Sequence, residues 1–221
     1  MNREDYVYLS VLFCLQAVAL YSAMVASPPE QTLGDLIRIF YIHTPAAWVT
    51  YLAFSISLIC TVLFLAKKDL KYDALAENSA TVGIFYGAAT ILTGAVWAKA
   101  VWGAYWNWDP RETTTLISEL AYLGYIMLRL SIPSVDKKAL SSGIYNVLAF
   151  LTVPLSYLSV HILISLHPIV ITPTEYRISA PIVQTLILNL IASSAVYLYL
   201  MKCLYSLTTL SRAAERLEAS D

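Results

Sequence analysis

The sequence predicts an all-α integral membrane protein with six transmembrane helices, organised as a single polytopic membrane domain over residues 1–221. Its residues are 58% hydrophobic and 13% charged, and the mean hydropathy is +0.64, which exceeds the values of ordinary soluble domains. Lys and Arg are also distributed unevenly between the two sides that alternating spans define. The spans leave no room for a soluble domain, and we expect no nucleic-acid partner.

Six apolar stretches are long enough to cross a bilayer, which takes about 20 residues at a rise of roughly 1.5 Å each. They cover residues 6–26, 45–66, 79–98, 112–131, 143–163 and 180–204. The first follows the sequence MNRED, which is not net positive, and its apolar run is long for a signal peptide. We therefore expect this stretch to be retained as a helix.

The orientation follows from the Lys and Arg residues at the ends of the spans. With the N-terminus inside, ten lie on one side: Arg3, Lys67, Lys68, Lys71, Arg129, Lys137, Lys138, Lys202, Arg212 and Arg216. Four lie on the other: Arg38, Lys99, Arg111 and Arg177. Because cytoplasmic loops are enriched in Lys and Arg, both termini are predicted to be cytoplasmic and the tryptophan-rich loop to face outside.

The first outer loop has apolar residues on one helical face: Leu33, Leu36, Ile37, Phe40 and Tyr41. This spacing predicts a short amphipathic helix in the membrane interface. Thr44 can then cap the second span, and Pro45 fits its first turn. His43 is thus expected just beyond a helix N-terminus, where the dipole favours a neutral imidazole that can bind a metal. The alternative, which the position of His43 alone favours, is an interfacial histidine that is hydrogen-bonded to solvent or lipid headgroups.

The outer loop 97–112 contains four of the five tryptophans, namely Trp97, Trp102, Trp106 and Trp108. Polar residues and Gly103 lie between them, which is typical of a flat platform for a planar, mostly apolar ligand. The alternative is an aromatic belt at the membrane interface. Asp109, Pro110 and Glu112 form the N-cap, N1 and N3 positions of the fourth span, so Asp109 has a structural role without any ligand.

The three histidines of the chain all fall near the outer face. His167 precedes a proline, which favours extended backbone, and is expected beyond the fifth helix. His161 is expected to pack or to form a hydrogen bond. Neutral imidazoles at His43 and His167, on either side of an aromatic platform, suit a six-coordinate haem. Zinc usually needs a third or fourth ligand, and no cysteine is available outside.

Several polar residues lie inside the predicted spans. Glu119 is expected to pair with Lys99, Gln184 or Asn189, or to line a water-accessible cavity. Asn146, Gln184 and Asn189 are expected to link helices through hydrogen bonds.

Two segments resemble a known family. WGAYWNWDPRE, at residues 102–112, resembles the WWD signature of the membrane haem-handling proteins of cytochrome c maturation. RIFYIHTPAAW, at residues 38–48, resembles the first outer-histidine motif of the haem exporter protein C family. The six-helix plan, the size and the Leu166–His167 pair also fit, so the resemblance covers nearly the whole chain. The run DPRETTTL is closer to the version in the cytochrome c synthase branches, which are longer.

The resemblance implies a haem site. His43 and His167 would ligate the iron of a transiently bound b-type haem. The residues implied to contact the macrocycle or its edge are Trp97, Trp102, Gly103, Trp106, Trp108, Asp109 and Arg111. No nucleophile or base suggests catalysis by the chain itself.

The resemblance also implies a location and partners. The chain would lie in the cell inner membrane, with the haem site facing the periplasm or outside. It would pass haem to a haem chaperone, the maturation protein E, and work with the ABC-type maturation proteins A and B and the small membrane protein D. The alternative is a cytochrome c synthase that acts directly on apocytochrome c.

Overall fold

The computed structural model describes residues 3–167 and 179–218, and the secondary structure of this part of the chain is helical, without a β-strand of its own. Its helices are α1 (Arg3–Tyr21, continued by a π-helical turn, Ser22–Ala26), α2 (Ile37–Lys67), α3 (Leu70–Trp102), α4 (Pro110–Ser131), α5 (Val135–Phe150), α6 (Thr152–Ile162) and α7 (Ala180–Glu218). Arg177, one of the predicted outer cations, lies outside the described residues.

Five helical segments in the described ranges are long and apolar enough to cross a membrane. They are Asp5–Ala26, Ile37–Lys67, Leu70–Trp102, Val135–Ile162 and Ala180–Ala214. These segments confirm the all-α membrane class. The predicted fourth span corresponds to α4, which is not among the five.

Helix α2 begins earlier than predicted and runs without interruption through Pro45, which is fully buried. The expected interfacial helix is therefore not a separate element, because its second half forms the first turns of α2. Residues 31–36 before it form turns, and the Glu30 carboxylate accepts the Thr32 and Leu33 amides at 2.7 Å. The predicted helix start at Thr44 was wrong. Packing here holds a proline inside a helix, where its missing N–H leaves one carbonyl without its usual donor.

The stretch predicted as one span over 143–163 consists of two helices, α5 and α6, that meet at Leu151. Pro154 accounts for the interruption, since it cannot donate to the Phe150 carbonyl and its ring disfavours a continuous helix. The Ser118 hydroxyl of α4 lies 3.0 Å from the Thr152 carbonyl at the junction and shares its hydrogen between this carbonyl and that of Thr114. The break is thereby stabilised from a neighbouring helix.

Polar side chains connect the helices inside the bundle. The Asn146 amide of α5 donates to the Ser57 and Thr61 hydroxyls of α2, at 2.8 and 2.6 Å. The Asn189 amide of α7 donates to the Ala19 carbonyl of α1 at 3.2 Å. The predicted linking role is confirmed for these two asparagines, whereas Gln184 is exposed.

A buried charge cluster closes the end of the bundle opposite the tryptophan loop. Arg129 of α4 is only 2% exposed and donates to both oxygens of Asp73, at 2.7 and 3.0 Å, and to Glu77 at 2.7 Å. Arg212 of α7 donates to the same Asp73 at 2.9 Å. The cluster joins α3, α4 and α7. The Lys202–Asp5 ion pair links α7 to the start of α1.

The centre of the bundle is packed around Phe54 of α2. One face of its ring stacks on Tyr122 of α4, with ring centroids 3.5 Å apart. Its edge lies so close to Gly83 of α3 that an added Cβ there would be 2.5 Å from the ring. Gly83 therefore permits the close approach of α2 and α3 at this level.

Candidate functional site

A cavity of about 280 Å³ lies at the end of the bundle that carries the tryptophan loop. Its volume is close to the lower end of the usual range for small-molecule sites, roughly 300–1,000 Å³. Helices α2, α3, α4, α6 and α7 all contribute to its walls. Five of the nine predicted site residues line it: His43, Trp97, Trp106, Arg111 and His167.

His43 lies in the second turn of α2, not before a helix as predicted, and its ring contacts α3. Its Nδ1 is 3.0 Å from the Thr93 hydroxyl. That hydroxyl donates its own hydrogen to the Ala89 carbonyl at 2.7 Å. With its hydrogen there, the hydroxyl can accept from His43, an arrangement in which Nδ1 carries the proton and Nε2 keeps the lone pair. Gly94 makes room for the ring, since an added Cβ would lie 3.0 Å from His43 Cε1.

His167 lies beyond the end of α6, as predicted, and its side chain is 24% exposed. Its Nδ1 is 2.9 Å from the Asp109 carboxylate, and its ring meets Trp102 edge-on with centroids 5.1 Å apart. Burial lowers the pKa of His167 below its ordinary value, against the opposing effect of Asp109. The ring is therefore neutral at pH 7, and Nε2 carries the free lone pair.

Asp109 connects the start of α4 to the segment that holds His167. Its carboxylate caps α4 together with Glu112, which confirms the predicted capping box. The same carboxylate accepts the Ser165 hydroxyl and the Leu166 amide, the latter at 2.6 Å. Burial favours a higher pKa for Asp109, but these hydrogen bonds hold the pKa below its usual value. The second role of Asp109 was not predicted, because the cap alone explained its presence in the sequence.

The tryptophans do not form one continuous platform. Trp97 and Trp106 line the cavity, while Trp102 lies against His167. Trp108 is 74% exposed and contacts Trp106 edge-on, and its backbone has a positive φ of 58°. A positive φ is uncommon for a bulky residue and marks local strain. Gly103 ends α3 with φ of 86°, so the connecting loop itself is residues 103–109.

Arg111 is the one cationic side chain of the cavity lining in the described part of the chain. Its guanidinium lies 5.9 Å from the centre of the Tyr51 ring. Among the residues that the structure describes, no carboxylate pairs with it. The neighbouring Glu112 is engaged with the Asn107 and Asp109 amides. Arg111 is thus available to an anionic group in the cavity.

His161 and Glu119 lie outside the cavity lining. The His161 side chain is exposed beside Tyr157 on α6. Glu119 is buried against Gly87, one helical turn from the cavity residue Thr115. Its expected partners bind elsewhere: Lys99 donates to the Gly103 carbonyl, and Asn189 to Ala19. Among the described residues, no ion pair or hydrogen bond joins Glu119 to Lys99, Gln184 or Asn189.

Comparison with known proteins gives a consistent set of matches. The family described as heme exporter protein C matches residues 3–220. The chain is 32% identical to a cytochrome c biosynthesis ccmC-like mitochondrial protein of Marchantia polymorpha, over 64% of the chain and 63% of that protein. It is 29% identical to the heme exporter protein C of Bradyrhizobium diazoefficiens, over 69% and 58%.

A shorter match reaches the cytochrome c biogenesis protein CcsA of a Synechococcus strain. It is 48% identical over 59 residues, which are 27% of the chain and 19% of that protein. The chain thus spans 63% and 58% of the length of the first two relatives.

Proposed function

The chain belongs to the haem exporter protein C family, and from this we propose that it binds haem at the outer face of the membrane and passes it to a haem chaperone. Family membership places the chain among the haem-handling proteins of cytochrome c maturation. The location of the haem, its ligands and its recipient are our proposal.

The paired histidines of the cavity are the observation that carries the proposal. His43 and His167 come from segments far apart in sequence, yet both line the same cavity. In each ring, Nδ1 is engaged by a protein oxygen, 3.0 and 2.9 Å away. Each ring therefore has Nε2 free to bind iron, which is the arrangement expected of oriented metal ligands. Two such nitrogens suit a six-coordinate b-type haem.

The remaining lining fits the periphery of a haem. Trp97 and Trp106 supply apolar aromatic surface to the porphyrin. Arg111 supplies a cation that can pair with a propionate carboxylate. Trp102 and Asp109 act behind His167 and hold its ring in place. Gly103 and Trp108 lie farther from the cavity, in the exposed part of the loop.

We propose that the chain crosses the inner membrane six times, with α4 as the span added to the five long apolar segments. Both termini then lie in the cytoplasm. The lower hydropathy of α4 is consistent with its buried polar face, which includes Ser118, Glu119 and Tyr122. The loop 103–109 and His167 then face the periplasm or outside. The Lys and Arg distribution supports this orientation.

Within this arrangement the chain holds and orients haem for delivery. Haem supplies the iron and the vinyl group through which it becomes attached to the chaperone, the maturation protein E. Asp109 and Thr93 keep both histidines in the tautomer that offers Nε2. Arg111 fixes the orientation, and the tryptophans exclude water from the ring. ABC-type proteins A and B and the small protein D complete the proposed machinery.

The proposal is tested by the visible absorption spectrum of the detergent-purified protein loaded with haem. We expect a six-coordinate low-spin spectrum that is lost or changed in both His43→Ala and His167→Ala. His161→Ala is the matched control and should keep the wild-type spectrum, because His161 does not line the cavity. A wild-type protein that takes up no haem, or histidine variants with unchanged spectra, would refute the site.

Replacing Asp109 by asparagine should weaken haem binding by about 10–100-fold, the usual effect of removing a partner that orients a metal ligand. Asparagine is itself a good N-cap, so α4 should keep its cap, but one amide oxygen cannot accept all the hydrogen bonds of the carboxylate, and some thermal stability should also be lost. Haem titration of the purified protein measures the affinity, and a melting curve measures the stability. Equal haem affinity in the wild type and Asp109→Asn would contradict the assigned role.

The similarity of one segment to CcsA favours a second candidate, a cytochrome c synthase that attaches haem directly to apocytochrome c. The two functions differ in their need for the chaperone. Cytochrome c formation by this chain in cells that lack the chaperone would favour the synthase, whereas strict dependence on the chaperone would favour delivery.

A further inference from the structure

Thr93 occupies an unusual position between two helices. It belongs to α3, and its hydroxyl reaches the ring of His43 on α2 at 3.0 Å. The other threonines of α3, Thr81 and Thr90, bond the carbonyls of their own helix at 2.9 and 2.8 Å. Of these three threonines, Thr93 is the one whose side-chain hydroxyl bonds a candidate ligand.

The Thr93 hydroxyl is placed to accept a hydrogen bond from His43, whose Nδ1 lies 3.0 Å away. The Thr93 hydroxyl has one hydrogen, and this hydrogen is directed at the Ala89 carbonyl, 2.7 Å away. With its hydrogen on this carbonyl, the oxygen accepts from His43, and the imidazole donates from Nδ1. The lone pair is thereby confined to Nε2.

The neighbouring residue reinforces this orientation. Gly94 carries no side chain where the His43 ring lies, and an added Cβ would be 3.0 Å from Cε1 and 3.5 Å from Nδ1. The ring is thus held by the Thr93 hydroxyl at one atom and by the α3 backbone surface beside it. The space beside Gly94 and the Thr93 hydroxyl together help to position the ring.

The structure assigns Thr93 as the positioning residue of His43, which sets the tautomer and orientation in which His43 meets haem iron; this inference rests on the proposed function. Without the hydroxyl, the ring would lose its side-chain acceptor and keep only the Thr90 backbone carbonyl nearby, so that it could adopt the other tautomer or turn away. The two ligands would also be unequal. His167 donates to an anionic carboxylate, whereas His43 donates to a neutral hydroxyl, so His43 receives less electron density from its partner.

The test compares hydroxyl-free and hydroxyl-bearing variants of Thr93. Purified protein carrying Thr93→Val, Thr93→Ala or Thr93→Ser is titrated with ferric haem, and the dissociation constant, the visible spectrum and the haem reduction potential are recorded. We expect Thr93→Val and Thr93→Ala to raise the dissociation constant about tenfold and to shift the reduction potential upward, because less electron density reaches the iron. Thr93→Ser should remain within about twofold of the wild type.

Thr81→Val is the matched control, since it removes a hydroxyl that bonds only its own helix. It should leave the affinity and the reduction potential unchanged. Equal potentials and affinities in the wild type, Thr93→Val and Thr93→Ala would overturn the inference, as would a Thr93→Ser variant that is impaired like Thr93→Val.

A His43→Ala arm separates this inference from the proposed function. Loss of the six-coordinate spectrum in His43→Ala, with unchanged haem binding in Thr93→Val, overturns only the role of Thr93. An unchanged spectrum in His43→Ala overturns both the ligand assignment and the role of Thr93. Both the ligand assignment and the role of Thr93 are supported if His43→Ala loses the six-coordinate spectrum, Thr93→Val binds haem more weakly and Thr93→Ser binds it like the wild type.

Discussion

Replacing Arg129 by methionine is expected to lower the free energy of unfolding by about 3–5 kcal/mol, the usual cost of removing one partner from a buried ion pair. Arg129 makes three charge-assisted hydrogen bonds to Asp73 and Glu77 and is 2% exposed. Methionine fills similar volume but leaves the Asp73 carboxylate buried with only Arg212 beside it. Unfolding of the purified protein in detergent, followed by circular dichroism during denaturant titration, measures the loss.

The matched control for this prediction is Lys202→Met. Lys202 also pairs with a carboxylate, that of Asp5, but its side chain is 60% exposed. Exposed pairs contribute about 0–1 kcal/mol, so this variant should be nearly as stable as the wild type. Arg129→Lys should fall between the two, because lysine keeps the charge without the planar fork. Equal losses in Arg129→Met and Lys202→Met would contradict a stabilising role for the buried cluster.

Replacing Gly83 by alanine is expected to destabilise the bundle by about 1–3 kcal/mol, the usual range for overpacking a core. The added Cβ would lie 2.5 and 2.6 Å from two atoms of the Phe54 ring. That ring cannot move away freely, since Tyr122 stacks on it with centroids 3.5 Å apart. Helices α2 and α3 must then separate. The melting temperature of the purified protein measures the effect.

Gly143→Ala is a control with the opposite expected sign. Gly143 also lies in a helix, but the nearest atoms to its added Cβ are 3.5 Å away, at ordinary contact distance. Alanine there should stabilise by about 0.5–1 kcal/mol, because glycine loses more backbone entropy on folding. If Gly83→Ala also raised the melting temperature, the close approach of α2 and α3 at Phe54 would not limit packing.

The sequence was informative where a local signal and its structural cause coincide. Asp109 and Glu112 were recognisable as a capping box because both hydrogen bonds of this motif are local. His43 and His167 could be assigned to one site because the alternation of spans places both at the same end. The apolar runs likewise defined most helices, since lipid requires long apolar segments.

The sequence was uninformative where tertiary packing decides. Pro45 is usually read as a helix start, yet burial holds it inside α2. The pairing of Thr93 with His43 depends on the register of α2 against α3, which no local pattern encodes. The exposed position of Trp108 depends on a loop backbone with positive φ, and bulky residues give no signal for that conformation. Pro154 is a local signal for the break at Leu151, because a proline cannot donate within a helix.

The charge cluster at Arg129 also has a mechanical consequence. Separating α3, α4 and α7 there would break several buried ion pairs at once. The opposite end contains a cavity, a strained Trp108 and Arg111, which has no carboxylate partner among the described residues. Local opening requires less free energy where fewer buried contacts must be broken. The helices are therefore held together most firmly at Arg129, and we expect them to separate more easily at the end that carries the two histidines.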